Sequence, residues 1–155
     1  MYDSYVDTLL HIKRVNELLL IFIRTLLDRA AVHDQSKLEE PEKSEFDKLT
    51  PLLSSLVYGS KEYKASLDKL NNALDHHYKN NSHHPQYYVN GIDGMDLADI
   101  VEMFFDWKAA TERVKDGSIE KSISLNTERF NMSEQLKNIF LNTAERYGWL
   151  NKKDQ

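Results

Sequence analysis

Val6-Asp-Thr-Leu9-Leu10-His11-Ile12-Lys-Arg-Val15-Asn16-Glu-Leu18-Leu19-Leu20-Ile21-Phe22-Ile23-Arg24-Thr-Leu26-Leu27 is the stretch that decides the fold class. Val6, Leu9, Leu10, Ile12, Val15, Leu18, Leu19, Phe22, Ile23, Leu26 and Leu27 recur at helical spacing. That periodicity predicts one long helix with a broad buried face. Asp3 or Ser4 is available to cap it. Arg24 interrupts the apolar run, which is too short to span a bilayer. Asp3 and Asp7 stand where a signal peptide would be basic, and no small-residue cleavage site follows. The expectation is a cytoplasmic protein with no membrane partner.

The rest of the chain reads as helices too. Five glycines and three prolines in 155 residues disfavour a turn-rich β-architecture. Pro41 predicts the start of a short helix through Leu49, and Pro51 its end. Gly59-Ser60 precedes a long helical segment, Lys61 to Asn80, with Leu67, Leu70 and Leu74 at core spacing. Residues 82–95, with Pro85, Gly91 and Gly94, read as a loop. Asp96 caps a helix from Leu97 to Lys115, closed by Gly117. A short element follows around Ile119 to Phe130, and Asn131 or Ser133 opens a last helix to about Tyr147. The expected architecture is all-α: one domain over residues 1–150, a bundle of five or six helices, and a polar tail over 151–155.

Composition narrows the chemistry. A chain that is 41% hydrophobic and 29% charged is globular rather than disordered. With no cysteine, disulfides, thiolate metal sites and cysteine nucleophiles are excluded, so any metal ligand is nitrogen or oxygen. A net charge of −5 leaves no basic footprint for duplex nucleic acid. A small anion remains compatible, because a metal supplies local positive charge.

All six histidines precede Pro85, at positions 11, 33, 76, 77, 83 and 84. Imidazoles followed by a helix-borne carboxylate are the donor types that a metal site in a cysteine-free helical protein requires. His33-Asp34, read as helical neighbours, project about 100° apart and approach one ion from two sides. Lys37 follows one turn later and can hold a phosphate oxygen. His77 and His84 are two turns apart if the helix persists, with Asn81 between them; His83 is an alternate ligand and His76 faces elsewhere. Glu102, Asp106, Ala109 and Arg113 share one face of an otherwise apolar segment, where unpaired carboxylates are costly.

With those residues in place, the chain resembles the HD-domain superfamily of metal-dependent phosphohydrolases. The resemblance implies ligands His11, His33, Asp34, His77 with His83 or His84, and Asp106. For His11 to join His33, the chain needs a helical hairpin between them, where Asn16 and Asp28 are the only turn candidates. His33-Asp-Gln-Ser-Lys37 is similar to the His-Asp-x-Gly-Lys segment of HD-GYP cyclic-dinucleotide phosphodiesterases. Their His-His-Glu is only partly matched by His83-His84-Pro85, and Gly-Tyr-Pro has no counterpart. The chain is also similar to a family of short, uncharacterised helical proteins from bacteria and phages. That likeness rests on the segment His33 to Glu42, Ala73-Leu-Asp-His-His-Tyr78, Asn81 to Pro85, Glu102-Met-x-x-Asp-Trp-Lys-Ala-Ala110, and Lys121-Ser-Ile to Arg129-Phe130.

The resemblance implies hydrolysis of a nucleotide or another small phosphate ester at one or two divalent ions (Mn, Mg, Fe, Zn, Co or Ni). Asp34 would bridge, Glu102 would act as base or orient a ligand, and Lys37, Asn81, Arg113, Asn126 and Arg129 would contact substrate. An HD-type di-iron oxygenase and a non-catalytic metal-binding interaction module stay open as alternatives, as does self-association.

Overall fold

The computed structural model describes residues 2–57, 60–67, 70–114 and 116–150. Its elements are helical throughout: α1 (Tyr5–Val32), α2 (Glu42–Ser54), α3 (Lys61–Leu67), α4 (Asn71–Asn80), α5 (Leu97–Glu112), α6 (Ile119–Phe130) and α7 (Glu134–Arg146). Short 3-10 turns occupy Gln35–Leu38, Pro85–Tyr87 and Gly91–Gly94. The protein is all-α, with seven α-helices among the described residues where five or six were expected. None of its helices is long and apolar enough to cross a membrane, among the described residues. The expected polar tail at 151–155 lies outside the described residues, as do Gly59 and Lys115.

The chain forms two compact units, one ending at His33 and the other beginning at Asp34. The first unit contains a single helix. Asp3 Oδ1 accepts from the Tyr5 amide at 3.0 Å, so Asp3 rather than Ser4 supplies the capping oxygen. The expected buried face of this helix is not found, for no residue of α1 is buried. A unit made of one helix has no second layer against which to bury an apolar stripe.

In the second unit the core is built by α5, α6 and α7. Met103, Phe104 and Trp107 meet Ile119, Ile123, Met132, Phe140 and Ala144. The Phe104 and Phe140 rings stack at 4.8 Å, and Trp107 stands edge-on to Phe140 at 5.7 Å. Local signals set the ends of these helices. Asp96 and Asp99 form a reciprocal capping box at the start of α5. Ser133, not Asn131, opens α7 by accepting from the Leu136 amide. Asn131 instead closes α6 in the left-handed conformation, with Met132 N donating to Thr127 O at 3.0 Å. Gly148, at φ +69°, closes α7 the same way, with bonds from Gly148 N to Glu145 O and from Trp149 N to Ala144 O. That turn lays Trp149 against Phe105 and Tyr147.

Three boundaries differ from the sequence reading. α2 runs through Pro51 to Ser54 rather than stopping near Leu49, since the ring removes only one donor, toward the Asp47 carbonyl. The segment expected as one helix from Lys61 to Asn80 is two, α3 and α4, with Leu70 flanking α4. α5 ends at Glu112, before the expected Lys115. Gly117 then packs so closely on α5 that a Cβ would lie 1.8 Å from the Thr111 carbonyl oxygen.

Candidate metal centre

The centre lies in the second unit, between its first residues, α2, α4 and α5. α1 ends at Val32, so Asp34 is not helical as expected. It adopts the left-handed conformation, φ 57° and ψ 15°, which aspartate tolerates better than most residues. The Lys37 amide donates to the Asp34 carbonyl at 2.9 Å, and Lys37 Nζ lies on Asp34 Oδ2. Asp34 Oδ1 is then left facing 3.2 Å from His77 Nε2 and 3.5 Å from His83 Nε2.

His77 and His84 meet, but not along a helix. α4 stops at Asn80, and Asn81 is extended. The Asn80 and Asn81 side-chain amides donate to the His76 and His77 carbonyls at 2.7 and 2.8 Å, satisfying acceptors that the helix leaves open. The chain then turns, with His84 N donating to Asn81 O, and His84 Nε2 comes to 2.8 Å from His77 Nε2. One atom each from Asp34, His77, His83 and His84 lies within 4.8 Å of the others. Ligands about 2.1 Å from an ion are roughly 3.0–3.4 Å from one another, a range that the separations of 2.8, 3.2 and 3.5 Å bracket. His83 is thus part of the group together with His84, rather than a substitute for it.

Carboxylates, one buried and one partly buried, hold two of the rings from behind. Glu42 is fully buried at the start of α2. One of its oxygens is 2.9 Å from His77 Nδ1, and the other 2.7 Å from His76 Nδ1. Ser36 Oγ donates to Glu42 at 3.0 Å and accepts from the Asn81 amide at 2.8 Å. Glu102, on α5, sits 3.0 Å from His83 Nδ1. An ionised carboxylate only accepts, so each Nδ1 carries a proton, and with a cation bound each ring would be neutral and offer its Nε2 to it.

The electrostatics keep Asp34 and His84 unprotonated, while His83 has a raised affinity for a proton that a cation would have to displace. Burial alone would raise the Asp34 carboxyl, but hydrogen bonds from His77 and His83 and the Lys37 charge hold it well below the usual carboxylate range. Burial, reinforced by His83, His77 and Lys37, pushes His84 down to about 2, which keeps its ring neutral. Burial opposes the charged form of His83, yet Asp34 and Glu102 outweigh it and raise its affinity for a proton.

A family model described as a family of unknown function, DUF5662, matches residues 1–146. The chain belongs to DUF5662. No curated protein and no solved structure matches it.

The other expected site residues of this DUF5662 chain are distributed as follows. Asp106, one turn after Glu102, brings an oxygen within 4.8 Å of one from Asp34. His33 is the C-cap of α1 and ends the first unit, one peptide bond before Asp34. His11 does not share an ion with His33. α1 runs unbroken between them, about 33 Å apart, and the hairpin that would join them is absent. Asn81 is a brace, its amide committed to Ser36 and His77. Arg129 lies over the Phe130 ring and donates to the Tyr78 hydroxyl at 3.4 Å. The Tyr78 ring in turn packs edge-on against His84 at 5.0 Å. Arg113 is exposed at the C-cap of α5. Asn126 is buried, its amide donating to Ser122, so it is withdrawn from any solvent-borne substrate.

Glu42, Ser36 and Tyr78 were not anticipated as parts of the site. Glu42 reads as an ordinary acidic residue in the first turn of a helix, which the helix dipole favours anyway. Its only distinguishing signal is its place at the end of the segment that begins with His33-Asp34.

Proposed function

We propose that this chain is a metal-dependent phosphohydrolase acting on a nucleotide or another small phosphate ester. The observation that carries the reading is the convergence of Asp34 Oδ1 with the rings of His77, His83 and His84. Asp34, His77, His83 and His84 would hold a divalent ion, and Asp106 is close enough to Asp34 to serve a second. Three imidazoles and a carboxylate suit manganese, iron, cobalt, nickel or zinc better than magnesium, which prefers oxygen ligands. Such an ion supplies Lewis acidity and acidifies water near neutral pH.

The chain's own residues have distinct parts. Glu42 and Glu102 fix the tautomer and direction of His77 and His83. Glu102 is therefore an orienting residue rather than a free base. Lys37, half-exposed beside Asp34, places positive charge where a phosphate oxygen would approach. Tyr78 packs on His84 and accepts from Arg129, and the two would offer a second donor pair to an anionic substrate.

The test is phosphate release from nucleoside mono- and triphosphates and from aryl phosphodiesters, by protein loaded in turn with each of these metals. Turnover that Asp34→Ala abolishes supports the reading. Loaded, folded protein that releases no phosphate from any of them counts against it, and uptake of oxygen by the iron form would favour oxidation instead.

A further inference from the structure

The first unit poses a question that the metal centre does not answer: what covers α1. This 28-residue helix has no buried residue. Thirteen of its large apolar side chains, from Tyr5 to Val32, are 40% or more exposed. An isolated amphipathic helix of this length is marginal in water without packing. We propose that α1 is an oligomerisation helix, which pairs in parallel and in register with α1 of a second copy of this chain.

The register comes from the sequence laid on the observed helix. Tyr5, Leu9, Ile12, Asn16, Leu19, Ile23, Leu26 and Ala30 alternate at intervals of four and three. That is a heptad seam sustained along the whole helix. Asp7, Arg14, Glu17, Arg24 and Asp28 fall on the opposite side. No charge falls on the seam itself, although Leu10, Leu18 and Ile21 share the far side with these charges.

Asn16 identifies the occupant. It is the only amide in the seam, and a lone asparagine at such a position specifies register. Parallel, in-register pairing sets it against the same residue of the second copy, where each amide satisfies the other. An antiparallel copy, or an unrelated apolar face, would bury it opposite a hydrocarbon side chain at a cost. The flanking positions agree. Parallel pairing puts Val15 beside Leu20 of the second copy and Phe22 beside Leu27, so no like charges meet there. Nine of the thirteen exposed side chains lie on the seam or its flanks. At roughly 100 Å² of removable surface each, they supply on the order of 900 Å² per copy, about what a stable interface takes from each partner.

The test uses the full chain. Sedimentation equilibrium of the wild type should give twice the 18.1 kDa of one chain. The double variant Leu19→Glu/Ile23→Glu should sediment as a monomer with reduced helical circular dichroism. Its near-ultraviolet signal from Trp107 and Trp149, both in the second unit, should be unchanged. Because the chain has no cysteine, Asn16→Cys carries the only thiol, and mild oxidation should convert it to a covalent dimer. A monomeric wild type, or an assembly that survives the double substitution, overturns the proposal. Failure of the single-cysteine variant to cross-link overturns the parallel register.

Discussion

Glu42 accepts a hydrogen bond from Nδ1 of His77 at 2.9 Å, with the carboxylate fully buried and the opposite ring nitrogen facing Asp34. A carboxylate behind an imidazole fixes which nitrogen is offered forward. His83 repeats the arrangement with Glu102. Glu42→Ala should therefore weaken metal uptake about 10- to 100-fold while Asp34, His77, His83 and His84 stay in place. It should also lower stability by about 1–3 kcal/mol, since Ser36 and two imidazoles lose a buried acceptor. Glu42→Gln keeps the volume and one acceptor and should fall between. Titration calorimetry with a divalent metal, paired with urea unfolding, reads both effects; unchanged affinity in the alanine variant would count against the orienting role.

Asp99 is the other buried carboxylate with several partners. It accepts from Ser82 Oγ, the Tyr88 hydroxyl and the Asp96 amide. These bonds tie the turns after the histidines to the start of α5. Asp99→Ala should cost about 2–4 kcal/mol by combining a lost cap with unsatisfied donors. Tyr88→Phe should cost no more than about 1.5 kcal/mol. The midpoints of urea unfolding would rank them, and the reverse order would refute this division of labour.

Tyr88 should also titrate late. Its partial burial, and then its hydrogen bond to Asp99 and that carboxylate's charge, push the phenol up to about 12 from an ordinary 10.0. The folded state holds this proton more tightly than the unfolded one. Its contribution to stability is therefore full below pH 10 and is lost as pH rises toward 12. In an alkaline titration followed at tyrosinate absorbance, Tyr88→Phe should remove amplitude from the last part of the curve. Loss from the early part would contradict the assignment.

Gly117 tests the packing of the turn between α5 and α6. With a Cβ 1.8 Å from the Thr111 carbonyl oxygen, Gly117→Ala forces backbone to move. Destabilisation of about 1–3 kcal/mol is expected, by analogy with other overpacked sites. Thermal unfolding indistinguishable from wild type would show that the turn yields freely.

Much of the fold is legible in the residues, because caps are local chemistry. Asp96 and Ser133 mark the starts of α5 and α7, and the span Ile119–Phe130 emerges as expected. What could not be read depends on contacts distant in sequence. Apolar spacing in α1 predicts a buried face without saying whether this chain or another covers it. The two-turn interval between His77 and His84 suggests a shared helical face. Their rings do meet, but through a chain reversal stabilised by the Asn80 and Asn81 side chains. Glu42 looks like any acidic residue at a helix start until α4 brings two histidines onto it. The residue types of the centre were thus readable, while the carboxylates that orient them were not.

The most direct test of the metal centre is the metal content of the purified chain, measured by inductively coupled plasma mass spectrometry beside Asp34→Ala. Asp34 Oδ1 faces both His77 Nε2 and His83 Nε2. The expected result is one or two divalent ions per wild-type chain, of the kinds that imidazole prefers, and loss of most of that content in a variant that remains helical. A folded wild-type chain that holds no ion and takes none up on dialysis against manganese, iron, cobalt, nickel or zinc would contradict it.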